Sequence, residues 1–404
     1  MIRQILSTFF TRFFIAISNL AIAVILSNYT GAAGRGEQSL IITLITFIII
    51  ITSVIGSSSI SYLLPRHSFY SLIIPSYLWI AAIIALCFIL LPFLNLVDEA
   101  FTVDICILSF ILAIVNVNTA VLVSRQRINS ANQVGFVQSV MIVAWLLISF
   151  LVIGNKSVSG YVNALYIGYG SSLLLSFAYI GSYFRGIKKE SLSTFIEAGK
   201  RLTVLGFFNQ IAVFTQLLSF RLSYYLLNAY YGNEQVGIYA NAVSIAESVW
   251  LIGRSIATVQ HSRIVNSEDA LYSLKLTSRI NRINIIITVV IIIIMAFVPD
   301  RFYTILFGDE FTGINRIIRI IAPGIVFFGI ALILGNYFSS TGKHFVNAIA
   351  STAGLFITLL LGFLLIPQYE TSGAGITATV SYGITALIAY YFYRRELKKH
   401  FRKQ

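Results

Sequence analysis

The chain has 404 residues, 57% of them hydrophobic and only 11% charged, and its mean hydropathy of +0.86 excludes a soluble globular domain. Its net charge of +13 would suggest nucleic acid as a partner in a soluble protein, but here the Lys and Arg residues lie between long apolar runs and read as membrane topology, with no nucleic acid implied. Runs such as Ile285 to Val298 are continuously apolar, which excludes the alternating strands of an outer-membrane barrel.

A membrane-spanning helix needs about 20 apolar residues to cross a hydrocarbon core of ~30 Å, so this length with short connections accommodates about twelve. In chain order the expected spans lie near 5–27, 40–63, 70–92, 103–123, 134–154, 161–184, 202–228, 237–258, 284–307, 317–338, 346–366 and 375–393. The first is too long, and has no small-residue cleavage site, to be a removable signal peptide. The connection from Asn28 to Glu37 resembles the one from Asn228 to Gly237; each begins with Asn after an apolar run and ends at a glycine opening the next helix, and six spans separate them. This spacing predicts a parallel repeat of two six-helix halves. The expected organisation is an N-terminal lobe 1–184, a basic cytoplasmic linker 185–201, a C-terminal lobe 202–393 and a basic tail 394–404. Within span ten, Pro323-Gly324 predicts a backbone kink, with Pro75 a lesser candidate.

With the N-terminus inside, 21 of the 28 Lys and Arg residues fall on cytoplasmic segments, among them Arg66, Lys188, Lys189, Arg254, Arg402 and Lys403. Five fall outside: Arg35, Lys156, Arg301, Arg316 and Arg319. The bias places both termini in the cytoplasm. The connections are too short for an external domain, and the longest are cytoplasmic, around 185–200 and 260–281. No phosphate-binding loop occurs, because Gly199-Lys200-Arg201 and Gly342-Lys343-His344 lack its spacing and hydroxyl residue. The acids Asp98, Glu99, Asp300, Asp309 and Glu310 form no DxD pair and are expected to be solvated in external loops. Cys87 and Cys106 sit inside spans as small hydrophobes. His67, His261, His344 and His400 are scattered without ligand spacing. The expectation is a transporter with no cofactor, no metal and no enzymatic reaction.

Several short motifs bear a family likeness: Gly34-Arg-Gly-Glu37, Gly237-Ile-Tyr239, Gly335-Asn-Tyr-Phe338, Thr341-Gly-Lys343, Leu364-Leu-Ile-Pro-Gln-Tyr369 and Gly373-Ala-Gly-Ile376. With the span count and the brief loops, they resemble the Wzx-type polysaccharide flippases of the multidrug/oligosaccharidyl-lipid/polysaccharide (MOP) exporter superfamily. The resemblance covers essentially the whole chain and implies an all-α membrane protein of two six-helix lobes around a central cavity. It also implies a bacterial inner-membrane location and an undecaprenyl-linked oligosaccharide as cargo, for O-antigen or capsule, with membrane lipids and polysaccharide assembly proteins as partners.

Ionisable residues inside spans cost roughly 2.5–3.5 kcal/mol and mark functional candidates. They are Arg12 in span one, Arg221 in span seven and Glu247 in span eight. The depths of Arg221 and Glu247 differ by only ~5 Å, within reach of an ion pair between adjacent antiparallel helices. Such a pair is either a structural clasp or part of transport. In the transport reading Arg12 and Arg221 attract the diphosphate or an acidic sugar of the cargo, Glu247 binds H⁺ or Na⁺, and Arg254 receives the diphosphate from the cytoplasmic side. Asn209 and Gln216 share a face of span seven and line the expected sugar path, near Gln210. Asn19, Asn116 and Asn118 serve either that path or interhelical hydrogen bonding. Tyr224, Tyr225, Tyr230 and Tyr231 read as an interfacial aromatic belt rather than a stacking platform. Two rivals remain: a multidrug cation antiporter of the same superfamily, which favours buried acids over arginines, and a membrane glycosyltransferase or polymerase, which needs carboxylates in a large external loop.

Overall fold

The computed structural model describes residues 2–56, 59–60, 63–64, 68–185, 192–265, 267 and 269–401. Arg66, His67, Lys188, Lys189, Arg402 and Lys403 lie outside the described residues, as do residues 186–191 of the expected linker 185–201. The described residues form twelve helices and no strand: α1 (Ile2–Thr52), α2 (Phe69–Leu94), α3 (Thr102–Ser124), α4 (Ile128–Leu147), α5 (Val158–Ile180), α6 (Leu192–Tyr231), α7 (Asn233–Ser248), α8 (Trp250–Val265), α9 (Ala270–Phe297), α10 (Asp300–Phe307), α11 (Ile314–Ser340) and α12 (His344–Phe401). In hydrocarbon each backbone N–H and C=O must be satisfied within the protein, which leaves helices as the solution for runs this apolar.

Nine stretches of the described residues are long and apolar enough to cross a membrane. Two are double-length helices, broken where the backbone leaves helical angles: α1 at Gly31 (φ 68°, ψ −173°) and α12 at Glu370 (φ 51°, ψ −131°). Separating these at their breaks and adding the 40-residue α6 accounts for all the expected spans. The chain is thus a multi-pass, all-α membrane protein.

Three expected boundaries change. Span two does not begin at Leu40: its helix restarts directly after Gly31 and passes into a 3₁₀ turn at Ser53–Ile55. Span nine, expected over 284–307, ends at Phe297, because Val298 turns extended ahead of Pro299, and α10 is a separate short helix. The connection expected over 260–281 is mostly helix, with α9 opened by Asp269, whose carboxylate accepts the N–H groups of Leu271 and Tyr272 at 2.8 and 3.1 Å. Helix α11 runs through Pro323 from Ile314 to Ser340. Thr379 donates its hydroxyl to the Ile320 carbonyl at 2.8 Å, supplying a bond in the turn where proline withholds one.

The chain divides into two compact units, Met1–Thr30 with Glu37–Phe214, and Gly31–Gly36 with Thr215–Gln404. The first packs an aliphatic core that includes Leu26, Ile41, Ile45, Leu72, Ile105 and Leu122. Through it runs a polar link between α2, α3 and α5: Tyr77 donates to Asn118, and Asn118 donates to Ser176 at 2.9 Å. Asn118 is fully buried and serves interhelical hydrogen bonding.

The second unit is centred on rings. Phe220, Trp250, Phe328 and Tyr382, from α6, α8, α11 and α12, all touch one another, with centroids 4.5–5.7 Å apart. Trp250 donates its indole N–H to the Ile325 carbonyl at 2.9 Å, so its polar edge is satisfied inside the bundle. Beside this cluster the hydroxyls of Ser219, Thr358 and Ser381 form a triangle with sides of 2.9–3.0 Å, which joins α6 to both halves of the broken α12.

Candidate functional site

The local frame of the site is set by two glycines in matching conformations. Gly31 and Gly232 have nearly the same backbone angles (φ 68°, ψ −173° and φ 79°, ψ −176°), and each immediately precedes a helix start. Five residues further along each helix, Gly36 and Gly237 lie against the opposite backbone. A Cβ on Gly36 would come within 1.8 Å of the Asn233 carbonyl oxygen, and one on Gly237 within 1.9 Å of the Ala32 carbonyl oxygen. Ala32-xxx-Gly36 and Asn233-xxx-Gly237 are thus a small-residue crossing of two helix starts. The resemblance between the two connections is real, but its register is 31 with 232 and 36 with 237, one residue off the alignment suggested by Asn28 and Asn228.

This crossing brings Arg35 inside. Expected in an external loop, Arg35 is instead on the first turn of the restarted helix, only 7% exposed, with its Nε donating to Asn241 Oδ1 at 2.8 Å. The physical reason is the positive φ at Gly31, which ends one helix and starts the next without an intervening loop.

Two acids of the adjoining turns also hold backbone N–H groups, although Glu310, like Asp98, Glu99 and Asp309, is exposed as expected. Glu310 accepts the Ala32 N–H at 2.7 Å, satisfying a donor that the broken helix leaves open. Asp300 accepts the N–H groups of Gly313 and Asn315 at 2.6 and 3.1 Å, at the start of α11.

The centre of the site is the pair foreseen between α6 and α7. Arg221 and Glu247 meet at two points, Nη2 to Oε2 at 2.8 Å and Nη1 to Oε1 at 3.1 Å. This is the planar fork geometry that arginine makes with a carboxylate. Their side chains are 22% and 15% exposed, so the pair is largely withdrawn from solvent. The Tyr224 ring lies 5.2 Å from the guanidinium, and its hydroxyl accepts from Nη1 at 3.3 Å. Tyr224 stands edge-on to Tyr239, with centroids 5.8 Å apart, and Tyr239 donates to the Ala374 carbonyl at 3.2 Å. Tyr224 also lies within electrostatic reach of Arg35. Two guanidiniums and one carboxylate are therefore gathered in the second unit around buried tyrosines.

The other expected residues are placed separately. Arg12 is exposed on α1 in the first unit, and Arg254 is exposed on α8. Gln216 is half-buried on α6 in the second unit. Asn209 lies on α6, but its side chain is outside the described residues, while neighbouring Gln210 is buried. Of the four tyrosines read as an interfacial belt, Tyr230 is exposed, Tyr224 is buried in the charge cluster, and Tyr231 donates to the Pro367 carbonyl at 2.7 Å. Arg35, Asn241, Tyr239 and Tyr382 were missed. The available signal was the repeat itself, since Gly31 and Gly36 flank Arg35 as Gly232 and Gly237 flank Val236.

No family model matches the chain. Over 173 residues it is 31% identical to the capsular polysaccharide biosynthesis protein CapF of Staphylococcus aureus, a match covering 42% of this chain and 44% of that protein. The chain therefore matches less than half the length of this curated relative. Among solved structures it resembles the lipid II flippase MurJ in an inward closed conformation, with a TM-score of 0.75 and 16% identity over 97% of this chain and 87% of that one. It also resembles an inward-facing multidrug resistance MATE family transporter of the MOP superfamily, with a TM-score of 0.74 and 14% identity over 95% of each chain. A MATE transporter of Vibrio cholerae, VcmN, gives a TM-score of 0.67 and 15% identity over 98% of this chain and 97% of that one. The fold is accordingly the one these solved structures share: an all-α, multi-pass membrane protein.

Proposed function

We propose that this protein is a flippase that carries an undecaprenyl-diphosphate-linked oligosaccharide across the bacterial plasma membrane for capsule or O-antigen synthesis. In this reading both termini are cytoplasmic, and the lobes 1–184 and 202–393, joined by the linker 185–201, work by alternating access. The observation that carries it is the largely enclosed Arg221–Glu247 fork with a second guanidinium, the buried Arg35, close by on Asn241 and within electrostatic reach of Tyr224. A cation antiporter calls for the opposite balance, with acids in excess. A guanidinium held in fork geometry presents the same two donors to a phosphate as to a carboxylate. The partial likeness to a capsular polysaccharide biosynthesis protein supports the same cargo class.

Glu247 is the group through which H⁺ or Na⁺ acts. Neutralising it frees the two guanidinium donors for a phosphate oxygen. Arg12 also attracts the diphosphate or an acidic sugar, Arg254 assists loading from the cytoplasmic side, and Asn209 and Gln216 contribute polar contacts to the sugar.

The test is complementation of a deletion strain with wild type, Arg12→Ala, Arg221→Ala and Arg221→Lys, reading surface polysaccharide together with the lipid-linked precursor on the inner leaflet. Loss of surface polysaccharide with precursor accumulation, rescued by wild type and not by correctly inserted Arg221→Ala, is the expected result. A missing or shortened precursor would instead place the protein in synthesis.

A further inference from the structure

The second unit holds a cavity of about 430 Å³ apart from the charge cluster, within the ~300–1,000 Å³ of ligand clefts. Its wall comes from three places: the start of α7 (Glu234, Gln235), the turn before α11 with that helix's first turn (Glu310, Arg316), and the break in α12 (Gln368, Tyr369, Glu370). By the distribution of Lys and Arg all three are on the external side.

Each wall is held in place. Tyr231 and Tyr239 donate to the carbonyls of Pro367 and Ala374, fixing the α12 break on both sides. Asp300 holds the backbone at Gly313 and Asn315, and Glu310 is anchored on Ala32. The cavity is therefore preformed, which lowers the ordering cost of binding.

The chemistry of the wall selects the occupant. Three carboxylates, two carboxamides and several hydroxyls offer many acceptors and some donors, with one guanidinium and one exposed aromatic ring. Among the described residues no three His, Cys, Asp or Glu side chains gather closely enough to hold a metal ion. Spaced acceptors around an open, polar hollow suit the hydroxyl and amino groups of a pyranose, while the excess of acids opposes uronates and phosphates. The geometry points to this cavity as an external sugar site that takes neutral or amino-bearing pyranose residues. Its place in transport rests on the flippase reading: the site receives the glycan end of the cargo, while the arginine cluster is suited to the diphosphate end.

The experiment uses the full-length protein in nanodiscs and saturation-transfer NMR with three soluble probes: chitobiose, cellobiose and a glucuronate-containing disaccharide. Wild type is expected to bind chitobiose and cellobiose and to ignore the uronate. The double variant Gln235→Ala/Gln368→Ala should weaken chitobiose binding about tenfold, the effect of removing hydrogen-bond partners worth roughly 1.4 kcal/mol. Glu234→Lys should shift preference toward the uronate, a gain that a misfolded protein does not produce. No saturation transfer from any probe, or identical profiles in wild type and all variants, overturns the proposal. Sugar binding with the expected variant effects, in a protein whose deletion leaves no accumulated precursor, sinks the flippase reading and leaves the sugar site standing.

Discussion

Gly36 and Gly237 meet backbone to backbone: a Cβ on Gly36 would stand 3.0 Å from the Gly237 nitrogen, and one on Gly237 would stand 3.0 Å from the Gly36 nitrogen. The relationship is reciprocal, and it sets how deeply Arg35 is carried into the second unit. Gly36→Ala and Gly237→Ala should each destabilise the purified protein by about 1–3 kcal/mol or more through overpacking. Gly170→Ala, where a Cβ meets nothing within 4 Å, should be neutral or stabilising by up to about 1 kcal/mol. Thermal melts in detergent compare the three, and equal melting temperatures would remove the crossing from the account.

The Arg221 and Glu247 pair separates structural from functional roles. Breaking one partner leaves the other charged and enclosed, so Glu247→Gln and Arg221→Met should each cost about 3–5 kcal/mol. The double variant Arg221→Met/Glu247→Leu should recover most of that stability, because an apolar replacement removes both charges together. Export should remain lost in the double variant. A stable double variant with full complementation would make the pair a clasp and nothing more.

Glu310 acts on a helix far from it in sequence. Glu310→Gln, which keeps the shape and loses the charge, should cost up to about 1 kcal/mol, and Glu310→Ala about 0.5–2 kcal/mol, the range for a lost helix cap. Hydrogen exchange of the Ala32 amide should quicken in both. Unchanged exchange at Ala32 would mean that another group satisfies that N–H.

The hydroxyl triangle of Ser219, Thr358 and Ser381 ties α6 to α12 without any charge. Thr358→Val keeps the shape and removes the shared hydroxyl, and hydrogen bonds of this kind inside membranes are worth about 0.6 kcal/mol on average and at most ~1.7. A thermal shift within that range, with export intact, is the expected outcome. A loss of export at unchanged stability would give the triangle a part in transport.

The spans were legible because hydrocarbon demands long apolar helices, and this demand acts locally on the sequence. The Arg221–Glu247 contact was legible for a related reason: two charges at similar depth on adjacent antiparallel helices have few other places to go. Arg35 was not legible, because residues 32–37 are small and polar and resemble a loop, while their burial depends on the α7 start some two hundred positions away. Glu310 is exposed as expected, but its contact with the Ala32 N–H was not legible, because a backbone partner leaves no trace in residue type. The break at Glu370 was located only coarsely, since a glutamate at positive φ gives none of the warning that a glycine does. That Thr379 of another helix donates to the Ile320 carbonyl beside Pro323 was not legible, because the contact joins positions 59 apart.

The contact between Glu310 and Ala32 spans 278 positions of the chain. At roughly 5–20 residues per second, a ribosome that has just finished the first hairpin needs some tens of seconds more before the acceptor for that amide exists. During that interval the broken helix is in the membrane with its restart uncapped. The first hairpin therefore inserts early but reaches its final bonding late, and a chain arrested before residue 310 should be a conspicuous target for membrane quality-control proteases.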